Sequence, residues 1–186
     1  MPSRIIPLET ETYYHVYNRG YNKQTLFFKV NDYLRFERVV AHNLEIYKGI
    51  RIKAFCFLPN HFHFLLQEHC LVSSPDSKLK DKHRVRTQKP AQEISAFMRK
   101  IQQSYAMYFN YQYADQVKKG LKSPVFEGRF KAKEVLDEAY LSQLVTYIEH
   151  NAVKHELVAD SKDWPYTSWD FKAPNELQTD FFSDFI

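Results

Sequence analysis

The spacing of apolar residues changes several times along the chain, and each change marks an element. From Tyr13 to Asn18 the side chains alternate as on a half-buried strand, and Arg19-Gly20-Tyr21-Asn22 supplies a turn. Asn31-Asp32 offers helix-capping chemistry before Tyr33-Leu34-Arg35-Phe36-Glu37-Arg38-Val39-Val40, where apolar residues recur at helical steps as far as Gly49. Arg51 to Leu58 reads as a buried strand, Pro59-Asn60 as a tight turn, and His61 to Gln67 as the returning arm of a hairpin. Residues 70–90 lack periodicity and are polar, which predicts a basic loop. From Ala91 to Tyr113, Ile94, Phe97, Met98, Ile101, Tyr105, Tyr108 and Phe109 fall at steps of three and four, the stripe of a long amphipathic helix. Val125 to Lys133 is expected to be a fourth strand with a bulge or bend at Gly128, and a last helix is expected from Asp137 through Lys154.

The first six elements follow the split βαβ order of ferredoxin-like folds, so the fold expected is α+β: an antiparallel sheet with helices on one face and an added C-terminal helix. With 186 residues, 44% of them hydrophobic, one domain over residues 1–170 is the simplest organisation, followed by an acidic tail at 171–186. No apolar stretch approaches the roughly 18 to 20 residues that span a bilayer, so a cytoplasmic protein without a membrane partner is expected. Cys56 and Cys70 have no metal-type spacing and read as reduced thiols.

Charge adds a partner to this picture. The formal net charge is only +4, yet Lys78 to Lys133 carries a large excess of Lys and Arg over Asp and Glu, and the balance reverses after Asp160. A basic centre fits a polyanion, because Lys and Arg contacts to phosphate dominate nucleic-acid affinity; a solvated loop and helix face would carry the same charges.

Chemistry enters with His61 and His63. On a strand, residues two apart share a face, so both imidazoles point together while Phe62 and Phe64 point into a core. This is either a two-nitrogen metal clamp or a pair of polar residues on an open sheet face. On the last helix, Leu141, Leu144, Val145, Ile148 and Ala152 form the buried stripe, and Tyr147 and Asn151 share a neighbouring face. A helix-anchoring tyrosine and an asparagine near a helix end would look the same.

The motifs Leu58-Pro59-Asn60-His61-Phe62-His63, Tyr147-Ile148-Glu149-His150-Asn151, Val125-Phe126-Glu127-Gly128-Arg129-Phe130-Lys131 and Tyr14-His15-Val16-Tyr17-Asn18-Arg19-Gly20 together resemble those of the IS200-like single-tyrosine HUH transposases. The resemblance covers about residues 10 to 170 and is strongest to the REP-associated tyrosine transposase branch. It implies a transposase that nicks and rejoins single-stranded DNA near a hairpin through a 5′-phosphotyrosine intermediate. In this chain it implies Tyr147 as nucleophile, with His61, His63 and Asn151 holding a divalent metal, Mg²⁺ or Mn²⁺. Ala152 stands where that branch usually has Pro, and Glu156 where it often has Gly. His150 and Gln67 are further candidates around the metal, and Arg19, Arg129, Lys131 and Lys133 are candidate phosphate contacts. Such a protein would be bacterial and associated with the nucleoid; both a homodimer and a monomer occur among its relatives. Two rivals remain at this level: a domesticated, catalytically silent DNA- or RNA-hairpin binder, and a metal-dependent nuclease that uses activated water.

Overall fold

In the computed structural model, residues 8–69, 92–114 and 124–168 are described. The basic loop 70–90, Cys70 and the acidic tail 171–186 lie outside them. The element order is β1 (Tyr13–Arg19), α1 (Val30–Ile46), β2 (Ile50–Leu58), β3 (His61–Glu68), α2 (Gln92–Gln112), β4 (Lys131–Glu134), α3 (Glu138–Glu149) and the single turn α4 (Asn151–Lys154). The strands form one sheet in the order β2-β3-β1-β4, with β3 antiparallel to both β2 and β1, and β1 antiparallel to β4. This is the ferredoxin-like arrangement that the element order predicts. No helix among the described residues is long and apolar enough to cross a membrane.

One sheet face carries the main core. Phe55, Phe57, Phe62, Phe64, Tyr14 and Val16 point toward Phe36 of α1 and Phe97, Ile101, Tyr105 and Phe109 of α2. Fully burying a large apolar side chain contributes roughly 1.5–3 kcal/mol, so this aromatic layer dominates folding. Asp32, in the first turn of α1, ties the helices together: its carboxylate accepts hydrogen bonds from the Phe28 and Lys29 backbone N–H groups (2.8 and 3.0 Å) and from the Tyr108 hydroxyl of α2 (2.8 Å). Glu68 is likewise structural, accepting from the Ile94 backbone N–H at the start of α2 (2.9 Å).

The opposite face is covered in part by α3 and α4, and a bulge in β2 prepares the ground. Pairing shifts between Ile52 and Ala54, which leaves Lys53 exposed and turns Ala54, Cys56 and Leu58 to the second face. There they pack with Leu65 against Leu144, Ile148 and Ala152. The small side chains of Ala54 and Cys56 let the helix approach closely, and burial pushes the Cys56 thiol up to about 12, so it is inert.

Two expectations change. Val125 to Phe130 is not strand: Phe126 makes an isolated bridge to Gly20, and Gly128 adopts a left-handed φ of 70°, so pairing in β4 begins only at Lys131. The last helix is interrupted at His150 (φ −89°, ψ 9°), between the end of α3 and the start of α4. Beyond it, residues 164–168 lie along the outer edge of β2. The Trp164 indole donates to the Phe57 carbonyl (2.9 Å), Phe57 N–H donates to the Tyr166 carbonyl (2.9 Å), and the Ser168 hydroxyl donates to Glu149 of α3 (3.1 Å).

Candidate active site

The second sheet face brings the predicted groups together because strand register decides which side chains are neighbours. Tyr17 pairs with His63 and Arg19 with His61, so Tyr13, His15, Tyr17, His61, His63 and Leu65 share the face that α3 crosses. The His61 and His63 rings stand 5.2 Å apart at 86° to one another. His15, diagonal to His63, places its Nε2 2.8 Å from His63 Nδ1, and the two rings stack at 5.0 Å. Asn60 Oδ1 lies 2.6 Å from His61 Nδ1. An amide oxygen only accepts, so His61 carries its proton on Nδ1 and keeps the Nε2 lone pair free. In the tautomer where His63 donates to His15, its Nε2 is also a free lone pair.

Electrostatics favour that neutral state. Burial, helped by Lys133, brings His15 down to about 4; burial, then His155 and Arg19, brings His61 to about 4. His63 is lowered to about 2, mainly by burial and next by His15. Neutral imidazoles whose second nitrogen is held by a neighbour are how proteins present histidine to a metal.

α3 and α4 supply the facing groups. Tyr147, 39% exposed, stands edge-on to both His15 and His63 with ring centroids 6.3 Å away. At the other end of the helix face, the His155 ring is 4.9 Å from that of His61. Asn151 sits between them in sequence, four residues from each. It is fully buried, and neither Oδ1 nor Nδ2 has a hydrogen-bond partner. Buried amides are almost always bonded, so an orphaned one midway between the two residues that meet the histidine rings needs a reason. The donor types suit a divalent ion: two Nε2 lone pairs and the Asn151 carbonyl oxygen would supply a mixed N/O set. Among the described residues no three His, Cys, Asp or Glu side chains are placed to hold an ion together.

The other candidates separate. Lys131 and Lys133 pair with Tyr17 and His15, so they continue the same face outward along the exposed β4 edge. Arg129 is exposed beside the Gly128 bend, whereas Arg19 is engaged with Glu127 through two hydrogen bonds of 2.6 and 2.8 Å. Gln67 lies on the histidine face but four residues beyond His63, about 13 Å along the strand. His150 places its Nδ1 2.9 Å from the Thr146 carbonyl one turn back. His15, Tyr17, Lys154 and His155 were not singled out from the sequence. A signal existed for His155: Tyr147, Asn151 and His155 recur at steps of four on one helix face. None existed for His15, whose role depends on register.

A ferredoxin-like sheet with a histidine pair facing a helix-borne tyrosine is the arrangement that the resemblance to the single-tyrosine transposases implies. A curated relative from Haemophilus influenzae named "Putative REP-associated tyrosine transposase" is 28% identical over 171 residues, covering 84% of this chain and 88% of the relative. The solved structure of a REP-associated tyrosine transposase bound to a REP hairpin has the same fold, with a TM-score of 0.61 at 17% identity over 92% of this chain and 84% of that one. The chain is thus similar in sequence to the first of these proteins and in fold to the second. No family model matches it.

Proposed function

We propose that this protein is a metal-dependent strand transferase that cuts and rejoins single-stranded DNA beside a hairpin, with Tyr147 as nucleophile. The observation that carries the reading is the convergence on one face of a half-exposed tyrosine, two neutral histidines and an unpartnered buried amide. A phosphodiester is anionic and resists attack, and a divalent ion held by His61, His63 and Asn151 would supply positive charge where the phosphate binds. Tyr147 then forms an O–P bond to the 5′ phosphate as the P–O bond to the 3′ oxygen breaks. The phenolic proton is lost to solvent and the 3′ oxygen gains one, leaving a hydroxyl that can reverse the step. Lys131 and Lys133 lead from the site along the sheet edge, a path suited to a flexible strand whose backbone they neutralise. A chromosomal substrate implies a nucleoid-associated location.

The test is a gel assay with a labelled hairpin oligonucleotide carrying a single-stranded flank, in Mg²⁺ or Mn²⁺. Wild-type protein should form a covalent adduct that EDTA prevents, and Tyr147→Phe should bind the hairpin without forming one. An adduct that persists in Tyr147→Phe removes Tyr147 from the role. Cleavage without any protein–DNA linkage indicates hydrolysis by water, and binding alone indicates a non-catalytic hairpin binder.

A further inference from the structure

We propose, building on the reading of Tyr147 as nucleophile, that Lys154 is a second catalytic residue, whose ammonium stabilises the negative charge passing from the Tyr147 phenolate to the phosphate. The placement is specific. Lys154 lies seven residues beyond Tyr147, two turns along the same helix face, and its Nζ stands 4.7 Å from the centroid of the Tyr147 ring. That ring in turn stands edge-on to His15 and His63. The cation therefore stands against the ring of the nucleophile, the same ring that meets His15 and His63. The ammonium is close enough to His63 to be one of the charges that disfavour its protonation.

A phenol attacks only after losing its proton, and the charge then moves from Oη to the non-bridging oxygens of the phosphate before leaving on the 3′ oxygen. His61, His63 and Asn151 would hold a metal whose charge would serve the phosphate side of that movement. Lys154 is the cation that stands over the Tyr147 ring among the described residues. A lysine ammonium has three donors on a flexible stem, so it can leave the ring face and follow the charge to an oxygen. No proton transfer by Lys154 is required: the bond made is Oη–P, the bond broken is P–O3′, and the protons exchange with water.

The interruption of the helix at His150 serves this arrangement. Tyr147 is on α3 and Lys154 on α4, so the angle at His150 sets how the ammonium meets the ring. The side chain is exposed, which separates its chemical role from folding.

The experiment compares wild type, Lys154→Met, Lys154→Arg and Tyr147→Phe in single-turnover adduct formation with saturating labelled hairpin oligonucleotide and Mn²⁺, alongside hairpin affinity and thermal midpoint. Lys154→Met should slow adduct formation at least tenfold at saturating DNA, with affinity changed less than threefold and the midpoint unchanged. Lys154→Arg, which keeps the charge, should restore most of the rate. A rate for Lys154→Met within threefold of wild type overturns the proposal, as does a loss that saturating DNA erases, because that marks a docking contact only. A slow Lys154→Arg equal to Lys154→Met also overturns it, because charge is then not what matters. If wild type itself forms no Tyr147-dependent adduct, the functional reading fails and Lys154 has no reaction to serve.

Discussion

Replacing Asn151 by Leu should separate what this side chain does for folding from what it does for a metal. The amide is fully buried and its oxygen and nitrogen are both without partners, whereas its neighbours Ala152 and Ile148 are packed against the sheet. A buried polar group left unsatisfied costs about 1–3 kcal/mol, and leucine replaces the amide with two methyl groups on the same branched skeleton. With some loss to imperfect shape, Asn151→Leu should be more stable than wild type by about 2 kcal/mol in EDTA. For a domain of this size that is a rise of about 4–8 °C in the thermal midpoint. Saturating metal should reverse the order. At a hundredfold excess over Kd a bound ion stabilises wild type by about 2.7 kcal/mol, while the variant, lacking an oxygen donor, should respond to much higher concentrations only. Differential scanning fluorimetry across a Mn²⁺ titration, with hairpin-adduct formation measured in parallel, reads both effects. A variant that is less stable than wild type in EDTA, yet equally stabilised by Mn²⁺, would refute the reasoning: the amide would then be a satisfied structural group and not a ligand.

Two further outcomes follow from the same geometry. His15→Phe removes the partner that holds His63 Nδ1, and should weaken Mn²⁺ binding by about 10–100-fold in a calorimetric titration, while His15→Gln, which can still accept a hydrogen bond, should retain most of the affinity; equal affinities for all three proteins would remove His15 from the site. Burial raises the Glu37 carboxyl from its unfolded value of 4.5 to about 7, so the folded state binds the extra proton between those values and its stabilising effect is lost as pH rises through 7. Relative to Glu37→Gln, wild type should therefore gain about 2 kcal/mol between pH 8 and pH 5 in urea unfolding, and a pH-independent difference would count against the buried carboxyl.

The sequence made the architecture readable to a large extent because each element carries a clear period and a stop signal. The hairpin turn at Pro59-Asn60 and the stripe from Ile94 to Phe109 are where the spacing puts them. Local signals could not reveal the bulge at Lys53, which turns Ala54 and Cys56 to the second face, since alternation in that stretch is masked by apolar residues on both sides. The strand expected from Val125 was shortened by Gly128, whose positive φ breaks the pairing. At the site, His61 and His63 needed only the two-residue repeat of a strand, and Tyr147 and Asn151 only the four-residue step of a helix. His15 was out of reach, because its contact with His63 depends on how β1 and β3 slide past each other. Lys154 was hidden by the general basicity of the chain.

The lysines of β4 carry a consequence for the protein as a material. One border of the sheet, along β2, is occupied by residues 164–168, so among the described residues β4 is the strand left at a margin. A bare strand margin invites pairing with another copy, and lysine side chains set along it make such stacking unfavourable. Lys131 and Lys133 would thus keep copies apart, beside the DNA contacts proposed for them. Replacing them with neutral residues to test DNA contact risks producing aggregates that mimic lost binding, so arginine and glutamate replacements are the ones whose results can be interpreted.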